Sequence, residues 1–386
     1  MSLWAGAIED ALAKTRSNIG KFGDQFPHVS TDGEGGSRYS TNLNPNIDWT
    51  DGFWSGILWL AYEYSGDEAY RSAAARTVES FRQRLANGVA LDHHDIGFLY
   101  SLSAKAQWML EKDESARQLT LAAADKLMSR FREKGQYIQA WGPEGDPVNG
   151  GRIIIDCMLN LPLLYWAHQQ TGDDRYRRTA VVHADKSRRF LVRGDDSSYH
   201  TFHFNPENGA PIGGDTHQGY TNGSTWTRGQ AWGIYGFALS YRYTKDPLYL
   251  ETSKRLAKYF LARLPEDAVV YWDFNAPVNA GTYRDSSASA IASAGILELL
   301  GHLDASDADR ALLEEGVRRS MKGLVEHYST IGDDSREGFI KRGSYHVLGN
   351  FSPDDLTIWG DYYYLEALMR LERGITGYWY EKGTAS

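Results

Sequence analysis

Six stretches of the chain are more apolar than their surroundings, beginning near residues 51, 95, 152, 226, 285 and 359. The first five are each followed by a polar turn and a segment whose apolar residues recur on one helical face. The turns share a chemistry: Tyr64-Ser65-Gly66-Asp67, Lys112-Asp113-Glu114, Thr171-Gly172-Asp173, Thr244-Lys245-Asp246-Pro247 and Asp304-Ala305-Ser306-Asp307. A glycine such as Gly66 adopts the left-handed conformation that ends a helix, and an aspartate such as Asp67 caps the next one. The pattern therefore predicts helical hairpins. A helix that is apolar all round belongs inside, with its amphipathic partner outside. Residues 4–20 read as one more amphipathic helix, and the last apolar segment, 359–371, pairs with it if the ring closes on itself. The expectation is all-α: twelve helices in six hairpins around one ring, a single domain over residues 1–386. Residues 33–46 are glycine-rich and polar and read as loop. Residues 199–204 fit a short strand within a long loop, and strand content should otherwise be low.

The third apolar stretch, Gly150-Gly151-Arg152-Ile153-Ile154-Ile155-Asp156-Cys157-Met158-Leu159-Asn160-Leu161, sets a carboxylate in a run apolar enough to be buried. Burial of a bare carboxylate costs several kcal/mol by order of magnitude, so Asp156 must take a proton, find a donor or line a polar pocket. If the stretch is helical, Arg152, Asp156 and Asn160 form one polar stripe, and a buried Arg152–Asp156 ion pair competes with a catalytic role. In a ring of inner helices the N-terminal ends gather at one mouth. There the sequence offers Trp49, His93, His94, Asp95, Arg152, Asp156, Trp226, Arg228 and Trp232, with His200, His217 and Gln218 in the loop before the fourth start. Asp95 reads equally as an N-cap or as a second catalytic carboxylate. Two carboxylates at one mouth point to acid/base work on a sugar, because burial and a like charge both raise a carboxyl pKa.

The 12 Trp and 24 Tyr fit sugar stacking or core packing, and Trp49, Trp141, Trp226 and Trp232 at one rim favour a sugar platform. The cluster Asp92-His93-His94-Asp95 raises a metal site as an alternative, but adjacent residues point to different sides of a helix and no His-x-x-x-His or cysteine pair supports it. No metal or organic cofactor is expected. No glycine-rich phosphate loop or Gly-x-Ser-x-Gly elbow is present, and Cys157 reads as a small core residue.

A net charge of −9 argues against a nucleic-acid partner, whose phosphates require a basic surface. The single cysteine makes an internal disulfide impossible, and the first ten residues lack the pattern of a signal peptide, so the expected location is cytoplasmic. No apolar run approaches the roughly 18–20 residues that span a bilayer, so no membrane partner is expected. Nothing marks a dimerisation stripe, and the default is a monomer. Lys341, Arg342, Ser344 and His346 lie near a loop able to read sulfate, with a solvated surface as the plainer alternative.

Six separated motifs, in order over nearly the whole chain, resemble the bacterial unsaturated glucuronyl hydrolases: Asp-Trp-Thr-Asp-Gly-Phe-Trp at 48–54, His-His-Asp-Ile-Gly-Phe at 93–98, Gly-Gly-Arg-Ile-Ile-Ile-Asp at 150–156, Ser-Thr-Trp-Thr-Arg-Gly-Gln-Ala-Trp at 224–232, Tyr-Arg-Asp-Ser-Ser-Ala at 283–288 and Trp-Gly-Asp-Tyr-Tyr at 359–363. The resemblance implies an (α/α)6 barrel and removal of the 4,5-unsaturated uronic acid from the non-reducing end of lyase-generated oligosaccharides. In that reaction an acid protonates C4 of the vinyl ether, positive charge develops at C5 and the ring oxygen, and water adds at C5; the hemiketal then opens and expels the neighbouring sugar. By position, the resemblance makes Asp156 the proton donor and water-activating base and Asp95 the second essential carboxylate. His200 and Gln218 match residues near the reacting ring. Trp49, His94, Trp141, His217, Trp226, Arg228 and Trp232 match the binding rim, where Arg228 is expected to offset substrate charge. Rival readings are a related unsaturated rhamnogalacturonyl hydrolase, an epimerase or inverting glycosidase on the same barrel, and a non-catalytic glycan-binding barrel.

Overall fold

The computed structural model describes residues 2–31 and 36–382, so residues 33–35 of the expected 33–46 loop lie outside the described residues. Helix α1 (Leu3–Phe22) is opened by Ser2, whose hydroxyl accepts the N–H of Ala5. Helix α2 (Asp51–Ser65) stops at Gly66, where φ turns to 70°, and the carboxylate of Asp67 takes the N–H of Ala69 to start α3 (Glu68–Ala86). The second inner element is broken into α4 (Ile96–Ser101) and α5 (Ala104–Glu111). Lys112, at φ 56°, ends it, and Asp113 caps α6 (Glu114–Met128). The same device joins α7 (Leu161–Thr171) to α8 (Asp174–Phe190) through Gly172 and Asp173. It recurs between α9 (Thr227–Thr244) and α10 (Pro247–Leu261) through Lys245 and Asp246. The fifth turn departs from the pattern. Helix α11 (Ser286–Leu300) ends on a right-handed Gly301, and α12 (Arg310–Gly323) follows Asp309, whose side chain makes no capping bond.

Helices α2, α4–α5, α7, α9 and α11 and the final α13 (Ile358–Arg373) form the inner ring, each packed against its ring neighbours and most extensively, among the outer helices, against its own hairpin partner. Helix α13 packs against α2 and α11 and takes α1 as its outer partner, so the ring closes as the pattern anticipates. The inner helices are buried around nearly their whole circumference: every residue of α9 from Thr227 to Ser240 is inaccessible. The architecture is the α/α barrel. Among the described residues no helix is long and apolar enough to cross a membrane.

The third start corrects the sequence reading. Residues 150–161 are not one helix: Arg152–Ile154 is a strand, Ile155–Leu159 a 3₁₀ turn, and α7 begins only at Leu161 with Pro162 in its first turn. Three consecutive β-branched isoleucines favour extended backbone, and proline fits a first helical turn, so the local chemistry overrides the four-residue spacing of Arg152, Asp156 and Asn160.

Strands are short. Two pairs, β1 (Phe26–Pro27) with β2 (Leu43–Asn44) and β3 (Phe131–Arg132) with β4 (Tyr137–Ile138), brace loops. Strands β5 (Arg152–Ile154), β6 (Thr201–Phe204) and β7 (Pro211–Asp215) make an antiparallel sheet in which Ile154 lies opposite Thr201. That register, extended by the N–H of Ile155 donating to the carbonyl of His200 at 3.1 Å, brings His200 alongside Asp156.

The segment after α13 folds back among the inner helices. The Trp379 ring lies parallel to Tyr363, its N–H donates to Glu366, and its carbonyl accepts from Lys105 and Tyr243.

Candidate active site

Asp156 sits in the 3₁₀ turn with its side chain 14% exposed, and its Oδ2 lies 3.9 Å from Nε2 of His200. Burial first, and the like charge of Asp95 second, push its pKa up to about 7, with Arg228 and Trp232 drawing it partly back. No ion pair to Arg152 forms. The Arg152 guanidinium instead lies over the Trp141 ring, 5.2 Å from its centroid, because residue 152 belongs to a strand and not to the helix that would have aimed it at Asp156.

Asp95 immediately precedes α4, yet its side chain makes no capping bond. Its oxygens lie 3.3 Å from Nδ1 of His93 and 3.4 Å from Nε2 of His94. Burial would raise its pKa, but these two rings and the Asn160 amide outweigh it, and Asp95 is held below the usual carboxylate value. His94 itself is pushed down to about 4 by burial, so its imidazole is neutral near pH 7. The two carboxyl groups of the mouth are thus driven apart: Asp156 retains a proton near neutrality while Asp95 remains ionised.

Nδ1 of the buried His200 faces the backbone N–H groups of His217 and Gln218, at 3.1 and 3.2 Å. An atom facing those donors must accept, so the proton is on Nε2, directed toward Asp156. Burial holds the ring well below its ordinary pKa, and it lies tilted against Trp226 with centroids 4.2 Å apart. Asp156 Oδ2, His200 Nε2 and His94 Nδ1 are buried without a hydrogen-bond partner among the described residues, an expensive arrangement unless a ligand completes it.

A loop from the far side of the barrel covers the mouth. Gln218 donates to the carbonyl of Tyr345 at 2.7 Å, and Arg228 donates to the carbonyls of Ser344 and Tyr345. Arg228 is 1% exposed and paired with Asp285 at 2.5 Å, so both Nη1 donors and one Nη2 donor are committed within the protein. Trp49 donates its N–H to the Tyr345 hydroxyl and lies partly stacked on Trp359. Trp141 meets His217 edge-on at 5.0 Å, and His217 faces His346 at 5.2 Å.

The structure thus gathers Asp95, Asp156, His200, Gln218, His94, Trp49, Trp141, His217, Trp226 and Arg228 around one mouth. Their depth differs from the sequence reading, however. Trp226 and Trp232 are buried rather than at the rim, Trp232 among Phe98 and Tyr363. Of the four residues considered for sulfate, Ser344 is buried and His346 faces the mouth, whereas Lys341 and Arg342 line a separate cavity of about 670 Å³ with Arg336 and Asp354. Sequence reasoning missed Tyr345 and Asp285 as parts of the site. Asp285 lies inside the Tyr-Arg-Asp-Ser-Ser-Ala motif, but no local signal marks it as the partner of Arg228.

Residues 18–373 match the profile of Glycosyl Hydrolase Family 88. The chain is 65% identical over 381 residues to the unsaturated glucuronyl hydrolase of Bacillus sp. (strain GL1), covering 99% of this chain and 100% of that relative. A crystal structure of the Bacillus sp. GL1 unsaturated glucuronyl hydrolase, described as responsible for the degradation of glycosaminoglycan, superposes with a TM-score of 0.96 over 98% of this chain and 100% of that one. A mutant of the Streptococcus agalactiae unsaturated glucuronyl hydrolase complexed with dGlcA-GalNAc6S, 41% identical, matches with a TM-score of 0.85 over 97% of this chain and 93% of that one.

Proposed function

The chain belongs to Glycosyl Hydrolase Family 88, and from that premise we propose how its mouth removes a 4,5-unsaturated uronic acid from the non-reducing end of an oligosaccharide. The enzyme is a glycoside hydrolase; the reaction that suits an unsaturated uronate is hydration of the C4=C5 vinyl ether followed by opening of the hemiketal. The observation that carries the assignment is the pair of buried carboxyl groups at one mouth: Asp156, its Oδ2 3.9 Å from Nε2 of His200 and without a hydrogen-bond partner among the described residues, and Asp95, paired with His93 and His94. A protonated Asp156 delivers its proton to C4, which leaves positive charge on C5 and the ring oxygen. The resulting carboxylate takes a proton from the water that adds at C5, which restores the acid. Asp95 stays ionised, keeps the pKa of Asp156 high and accepts hydrogen bonds from the sugar. His200 offers a fixed Nε2–H beside Asp156, and Gln218 holds the Tyr345 segment over the ring.

Trp49 and Trp141, both partly exposed, supply the aromatic walls, with His217 and His94 as polar neighbours. Trp226 and Trp232 form the floor behind His200 and Asp156. Arg228 acts through Asp285 and the Ser344–Tyr345 backbone, fixing the covering loop and tempering the charge on Asp156. The barrel acts as one catalytic unit. We place the enzyme in the cytoplasm as a monomer, a reading that cell fractionation and light scattering test directly.

The assignment of Asp156 is tested by Asp156→Asn. Turnover of an unsaturated disaccharide should fall by roughly a thousandfold or more, with circular dichroism and substrate binding preserved. Wild-type turnover by that variant would sink it.

A further inference from the structure

Aspartate at the position before a helix ordinarily turns its carboxylate onto the N–H groups of the first turn. Asp95 does not, although it stands immediately before α4. The N–H of Phe98, which such a cap would take, donates instead to Oδ1 of Asn160 at 2.8 Å. Asn160 arrives from another segment, ending the turn that carries Asp156, and is fully buried. Its Nδ2 reaches the backbone carbonyl of Asp156 at 3.4 Å, and its own N–H closes the turn on the Cys157 carbonyl at 2.8 Å. Gly97 makes the meeting possible: a Cβ there would stand 2.4 Å from Cα of Asn160 and 2.7 Å from its two oxygens.

We infer that Asn160 is a positioning residue that caps α4 in place of Asp95, freeing the Asp95 carboxylate to face Asp156, while the same amide holds the Asp156 turn. One side chain thereby fixes the spacing of the two carboxyl groups on which the proposed reaction depends, and the inference rests on the roles given to them above. The amide also favours the ionised form of Asp95, in keeping with its low pKa.

Two substitutions separate this from a merely structural role. Asn160→Ala removes the surrogate cap, so Asp95 returns to its own helix and turns away; Asp156 loses the like charge that raises its pKa, and the alkaline limb of kcat moves to lower pH. Asn160→Asp keeps an acceptor for the Phe98 N–H and so keeps the fold, but adds a carboxylate beside Asp95 and Asp156, and the alkaline limb moves to higher pH. Both should lose roughly tenfold or more in kcat with KM changed less than about threefold. Folded variants that keep the wild-type limb and kcat would overturn the inference, as would failure of both variants to fold, which would make Asn160 structural alone. Wild-type enzyme and Asp156→Asn run on the same disaccharide as controls. If wild type consumes none, the functional reading has failed; if wild type turns over, Asp156→Asn does not, and both Asn160 variants keep the wild-type limb, this inference alone has failed.

Discussion

Asp156 binds its proton more tightly in the folded chain than in the unfolded one, and that has a cost in stability with a definite sign. Its folded pKa of about 7 stands above an unfolded value of about 3.9, so between roughly pH 4 and 7 the native state holds a proton that the unfolded state has lost. Stability from this group is therefore present below that window, declines as pH rises through it and stays lost above it. Asp156→Asn removes the penalty. Urea denaturation should find the variant more stable than wild type at pH 8, by up to a few kcal/mol, with the difference shrinking toward pH 4; an equal difference at both pH values would contradict the raised pKa. At this scale much of the site was legible. A carboxylate in an apolar run needed a reason, and a second one at Asp95 supplied a partner. The neutral Nε2–H form of His200 was not legible, because it depends on the N–H groups of His217 and Gln218 folding back onto the ring. Nor was the commitment of Arg228, since Asp285 is 57 residues away.

Among the elements, turn chemistry was readable where a single local residue decides the outcome. Gly66, Lys112, Gly172 and Lys245 all take the left-handed conformation, and the aspartate after each caps the next helix. The 304–307 turn shared the composition but not the geometry. The third start was misread because a four-residue spacing was weighed above three isoleucines and Pro162. What the sequence hid is how closely the inner elements approach. Gly52, in the first turn of α2, faces the backbone of α4, where a Cβ would lie 2.1 Å from the Phe98 carbonyl oxygen. Gly52→Ala must push α2 from α4. Overpacking of this kind costs about 1–3 kcal/mol, so a thermal melt should show a lower Tm; an unchanged melt would mean that the two helices separate freely.

Across the whole molecule, the barrel is held at both ends. At the mouth, the Ser344–Tyr345 segment is tied down by Gln218 and Arg228; among the inner helices, the segment after α13 is tied by Trp379. Lys105 is buried there with its pKa pushed down to about 7 by burial, and it donates to the Trp379 carbonyl. Removal of residues 375–386 strands Lys105 without the Trp379 carbonyl, whereas Glu366 loses the Trp379 N–H but keeps Arg370 and Tyr235. Stranded buried charges cost about 3–5 kcal/mol, so the shortened chain should unfold at markedly lower urea, and an unaltered midpoint would contradict the bracing role. Ring closure was readable from the count of apolar segments, whereas the return of the final segment into the barrel was not, because its anchors are spread over α5, α9 and α13. The central claim is that this barrel adds water across a carbon–carbon double bond and does not attack a glycosidic bond directly. The most direct measurement follows the ultraviolet absorbance of the conjugated C4=C5 bond, and the release of the neighbouring sugar, for an unsaturated disaccharide and its saturated counterpart. Absorbance should be lost and sugar released from the unsaturated disaccharide, while the saturated one is left intact; cleavage of the saturated disaccharide, or of neither, would contradict hydration.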